Sequence, residues 1–201
     1  MTTRRSLLRA GLVLGALAAV SGCASVTPGA GFAPAGAGAD RTIELRGRFS
    51  ARTERNGREE GAHGNFVWLQ RGDSVQLSLV SPLGQTLAIV TALPGEATLE
   101  LPNQAPRSAP EVDMLMQQAL GFSLPVSGMR DWLQARPAPG PVVRAERDAT
   151  GRLTQLEQHG WTVRFQEYRE TSAGDTPRVR RMDLARTLDG EPLSVRLVVD
   201  E

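Results

Sequence analysis

Thr42-Ile-Glu-Leu-Arg-Gly-Arg-Phe-Ser-Ala-Arg52 alternates without a break. Ile43, Leu45, Gly47, Phe49 and Ala51 fall on one side of an extended chain, with Glu44, Arg46, Arg48, Ser50 and Arg52 on the other. A period of two marks a strand with one face in a core and one in water, which suits an antiparallel sheet. Asn56-Gly57 then sits in a polar stretch suited to a hairpin turn.

Further strands are expected on both sides of a central helical region. Phe66 to Leu69 starts a second strand, Val75, Leu77 and Leu79 alternate on a third, and Leu87, Ile89, Thr91 and Leu93 on a fourth. Pro94-Gly95 turns the chain into Ala97 to Leu101. In the second half, Val142 to Arg147 and Leu153 to Gln158 flank Asp148-Ala-Thr-Gly151. Trp161, Val163 and Phe165 follow a turn at His159-Gly160, and Val179 to Arg186 and Leu193 to Val199 complete the set. Between the halves, Val112, Leu115, Met116, Ala119 and Leu120 form an apolar helical stripe that Gly121 is placed to stop. Ser127 is expected to cap a second helix carrying Met129, Trp132 and Leu133, which Pro137 ends. The expected fold is mainly β with helices (α+β). It is an incomplete, strongly curved antiparallel barrel of about ten or eleven strands, since accumulated twist curls so large a sheet. The helices are expected to cover its apolar face.

Upstream of the strands the chain has a different character. Arg4, Arg5 and Arg9 precede the apolar run Gly11 to Val20, which is too short for the ~20 residues of a spanning helix and has the organisation of a signal peptide. Val20-Ser21-Gly22-Cys23 resembles the bacterial lipobox. That resemblance implies cleavage before Cys23 and acyl chains on it, and Ala24 rather than Asp after the cysteine implies the outer membrane. Ala24 to about Asp40 is rich in Gly, Ala, Pro and Ser and reads as a tether. Three parts follow: a signal peptide at 1–22, a lipidated cysteine and tether at 23–40, and a folded body at 41–201.

Composition excludes several chemistries. All 23 basic residues are Arg, so there is no P-loop lysine and no Schiff-base lysine. The single Cys makes no internal disulfide and no multi-cysteine zinc site. His63 and His159 lack partners at metal-ligand spacing, so no metal, cofactor or catalytic residue is assigned. Removing residues 1–22 takes three arginines and no acid, leaving a formal −2 in place of the precursor's +1, which gives no electrostatic case for nucleic acid.

Gly47-Arg-Phe-Ser50, Phe66-Val-Trp68, Leu77-Ser-Leu-Val-Ser-Pro-Leu-Gly-Gln-Thr86, Leu120-Gly121, Leu124-Pro-Val126, Trp132-Leu133 and Gln158-His-Gly-Trp161 occur in that order. This series, across about 42–200, resembles the LolB family of outer-membrane lipoprotein receptors. The resemblance implies an incomplete barrel with a helical lid over an apolar cavity. It implies that a monomer accepts lipoproteins from the periplasmic carrier LolA and places them among outer-membrane lipids. With no nucleotide motif, such transfer runs downhill, driven by about 0.8 kcal/mol for each buried CH₂.

Leu83 lies in the turn Ser81-Pro82-Leu83-Gly84, where Pro82 and Gly84 serve the turn and a large apolar residue has no local purpose. The family resemblance implies that it protrudes and drives membrane insertion. For the acyl-chain cavity the candidates are Phe49, Phe66, Trp68, Leu77, Leu79, Leu115, Met116, Met129, Trp132, Trp161, Phe165, Val195 and Leu197. Periodicity points them inward and leaves open whether the inside is hollow, by several hundred Å³ for a ligand cavity, or filled. A filled core would fit a structural or scaffolding lipoprotein that binds protein partners. Met114, Met116 and Met129 near the helices would suit an adaptable cover.

Overall fold

The computed structural model describes residues 42–55, 57–120, 124–169, 177–188 and 190–200. The expected signal peptide, Cys23, the tether and the helix stop at Gly121 lie outside them.

The alternation that opens the body becomes a strand of fourteen residues, β1 (Thr42–Arg55). It pairs along its whole length with β2 (Arg58–Arg71), from Thr42↔Arg71 to Arg55↔Arg58. Gly57, in the two-residue turn, takes φ +72°. β3 (Ser74–Val80), β4 (Thr86–Leu93), β5 (Glu96–Glu100) and β6 (Arg107–Ala109) continue the meander. The helices α1 (Val112–Leu120) and α2 (Val126–Trp132) follow, then β7 (Val142–Arg147), β8 (Leu153–Gln158), β9 (Trp161–Tyr168), β10 (Val179–Leu188) and β11 (Glu191–Val199). β11 returns to pair antiparallel with β1, giving one sheet in the order β6-β5-β4-β3-β2-β1-β11-β10-β9-β8-β7. β6 and β7 are its two edges, so the barrel is open.

Width and cover together require curvature. Eleven strands at about 4.8 Å spacing would make a flat sheet roughly 50 Å across. α1 and α2, at about 1.5 Å per residue, are far too short to cover it, yet inward residues from β2 to β11 are buried in one core. The sheet therefore curls over its own apolar face, with α1 lying beside β5, β6 and α2. Cross-strand rows build that core. One runs Leu45, Trp68, Leu77, Val90, Leu99, and another Ala51, Val195, Leu184, Val163, Leu156. Outward rows carry charge, including a bidentate pair in which Arg196 donates to Asp183 at 2.6 and 3.1 Å.

The structure corrects the sequence reading in four places. β4 is out of phase with expectation: Ala88, Val90 and Ala92 are buried, while Leu87 is exposed and Ile89, Thr91 and Leu93 are half-buried. The register explains the phase: Ala88, Val90 and Ala92 pair with the inward Leu79, Leu77 and Val75, and the bulge between Leu79 and Val80 falls before them, at the start of the strand. β2 begins at Arg58, eight residues before Phe66. β6 adds a short edge strand. α2 starts at Val126, with Pro125 as N-cap and no side-chain cap bond. Ser127 instead donates from its backbone N–H to Asp113 Oδ1 at 3.0 Å and from its hydroxyl to Asp113 Oδ2, so that α1 supplies the acceptor.

Candidate functional site

The interior is predominantly apolar. Among the described residues the buried polar ones are Gln70, Ser74 and Gln158, and no charged side chain is buried. Beneath α2 lies a cavity of about 20 Å³ lined by Phe49, Ala51, Phe66, Leu77, Leu79, Leu124, Met129, Val195 and Leu197. Seven of these were expected from alternation and helical spacing. Trp68, Leu115, Met116, Trp132, Trp161 and Phe165 are buried but pack elsewhere in the core. Ala51 and Leu124 complete the lining; Ala51 shares the inward face of Phe49, and only its small size hid it. Met114 is exposed on α1 and does not join the cover over the interior.

The hollow is smaller than the several hundred Å³ a lipid cavity suggests. One water needs roughly 10–15 Å³ of such space, so the cavity holds one small molecule and no acyl chain. Three sets of polar contacts hold α2 over it. Asp113 ties its N-terminus to α1. Arg130 donates to the backbone oxygen of Asp73 at 2.8 Å, fixing α2 to the β2–β3 turn. At the other end Gln158 Oε1 accepts from Trp132 Nε1 at 3.1 Å and from the Ala138 amide at 2.9 Å, while its Nε2 donates to the Ala138 carbonyl at 2.7 Å. Gln158 was quoted from the sequence only as part of a similar stretch. Its signal was a glutamine at the end of a strand, three residues before Trp161; its partners Trp132 and Ala138 lie 26 and 20 residues away in sequence.

Leu83 stands apart from this interior. The turn is closed by its own backbone: the Gly84 amide donates to the Ser81 carbonyl at 2.9 Å and the Ser81 amide to the Gln85 carbonyl at 2.7 Å. The Ser81 hydroxyl also accepts from the Gln85 amide at 3.1 Å. Gly84 supplies the positive φ, +84°. With the turn held by polar contacts, Leu83 is left 89% exposed, the most exposed of the large apolar residues described. It is not folded under the sheet edge.

The histidines are dispersed. His63 lies across from Ser50 on the exposed side of the β1–β2 hairpin. His159 occupies the β8–β9 turn with Nε2 3.0 Å from the Pro139 carbonyl. Among the described residues no group of three His, Cys, Asp or Glu is placed to hold a metal.

An open antiparallel sheet wrapped around an uncharged interior, closed by two helices, spans the same residues as a family model described as Outer membrane lipoprotein LolB, which matches 41–201. The chain belongs to the LolB family. Outer-membrane lipoprotein LolB of Cupriavidus metallidurans is 56% identical over 184 residues, covering 90% of this chain and 89% of that protein. The protein of the same name from Ralstonia nicotianae is 51% identical over 209 residues and covers both chains completely. Among solved structures, a LolA superfamily protein from Nitrosomonas europaea covers 77% of this chain and 83% of its own, with a TM-score of 0.41 at 10% identity. As a LolB protein the chain is an outer-membrane lipoprotein of lipoprotein localisation.

Proposed function

We propose that this LolB protein is anchored by acyl chains on Cys23, accepts lipoproteins from the carrier LolA, lodges their acyl chains between the concave sheet and α2, and releases them into the outer membrane at Leu83. The observation that carries this reading is the pairing of a predominantly apolar interior with a leucine held out in water by a self-sufficient turn. The exposed leucine is not needed for a stable fold: it contributes no burial, and leaving a Leu exposed forgoes about 1.5–3 kcal/mol. A bilayer recovers that energy.

On this reading the hollow beneath α2 widens to admit an acyl chain. An acyl chain must displace Met129 and Leu124 and lift part of the helical cover. The contacts holding α2 are the kind that yield at modest cost, since single hydrogen bonds contribute about 0.5–1.5 kcal/mol net. Each buried CH₂ returns about 0.8 kcal/mol, so a long chain outweighs several such bonds. Because no step needs an ionised or nucleophilic group in the interior, the protein acts by binding and release.

The same hollow favours one rival, a scaffolding lipoprotein with a filled core. Transfer of a labelled lipoprotein from LolA to the purified protein, followed by delivery to liposomes, separates them. A carrier yields both steps; a scaffold yields neither.

A further inference from the structure

We infer that acyl chains enter and leave the interior by a single doorway, the stretch Gly64 to Ala62 of β2 with Ala51 opposite, next to the Leu83 turn. This rests on the proposed function and specifies its route. Along the inward face of β2, Trp68, Phe66 and Gly64 are buried, and then Ala62 and Glu60 are exposed. The cover therefore ends between Gly64 and Ala62. Ala51, which lines the cavity, is the direct cross-strand partner of Ala62. One alanine thus separates the hollow from a solvent-facing alanine on the same face.

Two further features mark this side. The sill is low, with nothing larger than a methyl group at Gly64, Ala62 or Ala51. Phe49 is only half-buried, lines the cavity and lies over Gly64, where an added Cβ would come within 3.2 Å of its ring and 2.2 Å of the Val80 carbonyl. Phe49 is therefore the movable piece between hollow and sill. Val80 is also the last residue of β3 and pairs with Asn65, so the Leu83 turn begins level with the doorway. A leucine seated in a bilayer there brings the opening to the hydrocarbon, and the chains need not cross water.

A single route makes a kinetic demand: a barrier on it slows entry and exit by the same factor and leaves the equilibrium alone. Ala62→Asp places a carboxylate on the sill at an exposed position, where the fold tolerates it, and hydrocarbon passing a charge loses the apolar path. The test uses the full mature chain carrying Cys23→Ser, loaded with an anthroyloxy-labelled fatty acid and mixed with excess phosphatidylcholine vesicles, with stopped-flow detection of uptake and release. Ala62→Asp is expected to slow both about tenfold or more, at unchanged equilibrium binding and unchanged Tm. Ala62→Ser should stay near the parent in both rates. Loss of one rate without the other, or no change in either, would overturn the doorway while leaving the proposed function intact. A parent chain that takes up no probe would overturn the function and the doorway with it.

Discussion

Replacing Leu83 by Glu removes a side chain that gives the fold nothing and, on this account, makes the membrane contact through which cargo is delivered. Full burial of a Leu side chain is worth about 1.5–3 kcal/mol. With 89% of it exposed in the free protein, nearly all of that is available on insertion, roughly 1.3–2.7 kcal/mol. At 1.4 kcal/mol per factor of ten, its loss alone lowers membrane engagement about 10- to 100-fold, and a carboxylate at membrane depth lowers it further. Stability should change by less than about 0.5 kcal/mol, as for surface positions away from structural features. The assay loads the variant with labelled lipoprotein from LolA, then adds liposomes and follows both pools. The variant should load like the parent and retain its cargo. Delivery at the parent rate would refute the insertion role of Leu83, and failure to load would show that the turn serves acceptance instead.

Other variants probe the interior. Gln158→Leu leaves the Trp132 indole N–H and the Ala138 amide without their acceptor; at about 1–3 kcal/mol for each buried unpaired group, thermal melting should show a loss of about 2–6 kcal/mol. Met129→Ala enlarges the hollow beneath α2, and should destabilise by about 2–5 kcal/mol while speeding uptake of a fluorescent fatty acid in stopped flow. Gly47→Ala would set a Cβ 2.1 Å from the Val198 carbonyl and 2.8 Å from the Phe66 ring; that overpacking should cost about 1–3 kcal/mol in urea titration.

Much of the fold was legible because local chemistry and tertiary demand agree. The alternation from Ile43 to Ala51 matches the inward face of β1, and Gly57 falls between β1 and β2 with the positive φ a tight turn needs. His159 and Gly160 both take positive φ, +54° and +74°, as the favoured two-residue hairpin requires. The phase of β4 was not legible. Both of its faces are apolar, so size pointed to Leu87, Ile89 and Leu93, while pairing with the inward Leu79, Leu77 and Val75 set the smaller Ala88, Val90 and Ala92 inward. The first half of β2 was hidden because Arg58 to Ala62 is polar or small on both faces and is a strand only through its pairing with β1. The acceptor for Ser127 came from Asp113, fourteen residues away on another helix. Cavity volume was out of reach for a different reason: periodicity fixes which way a side chain points, and the gap left when all of them meet depends on packing to within a methyl group.

Trp68, Trp132 and Trp161 are the three tryptophans of the chain and all are buried in its interior. Energy transfer from them to a fatty acid bearing an acceptor dye reports directly on whether hydrocarbon can enter a space that is nearly shut when empty. The account predicts saturable quenching of all three, reversed when excess vesicles withdraw the probe. Emission that stays constant up to probe saturation would contradict it.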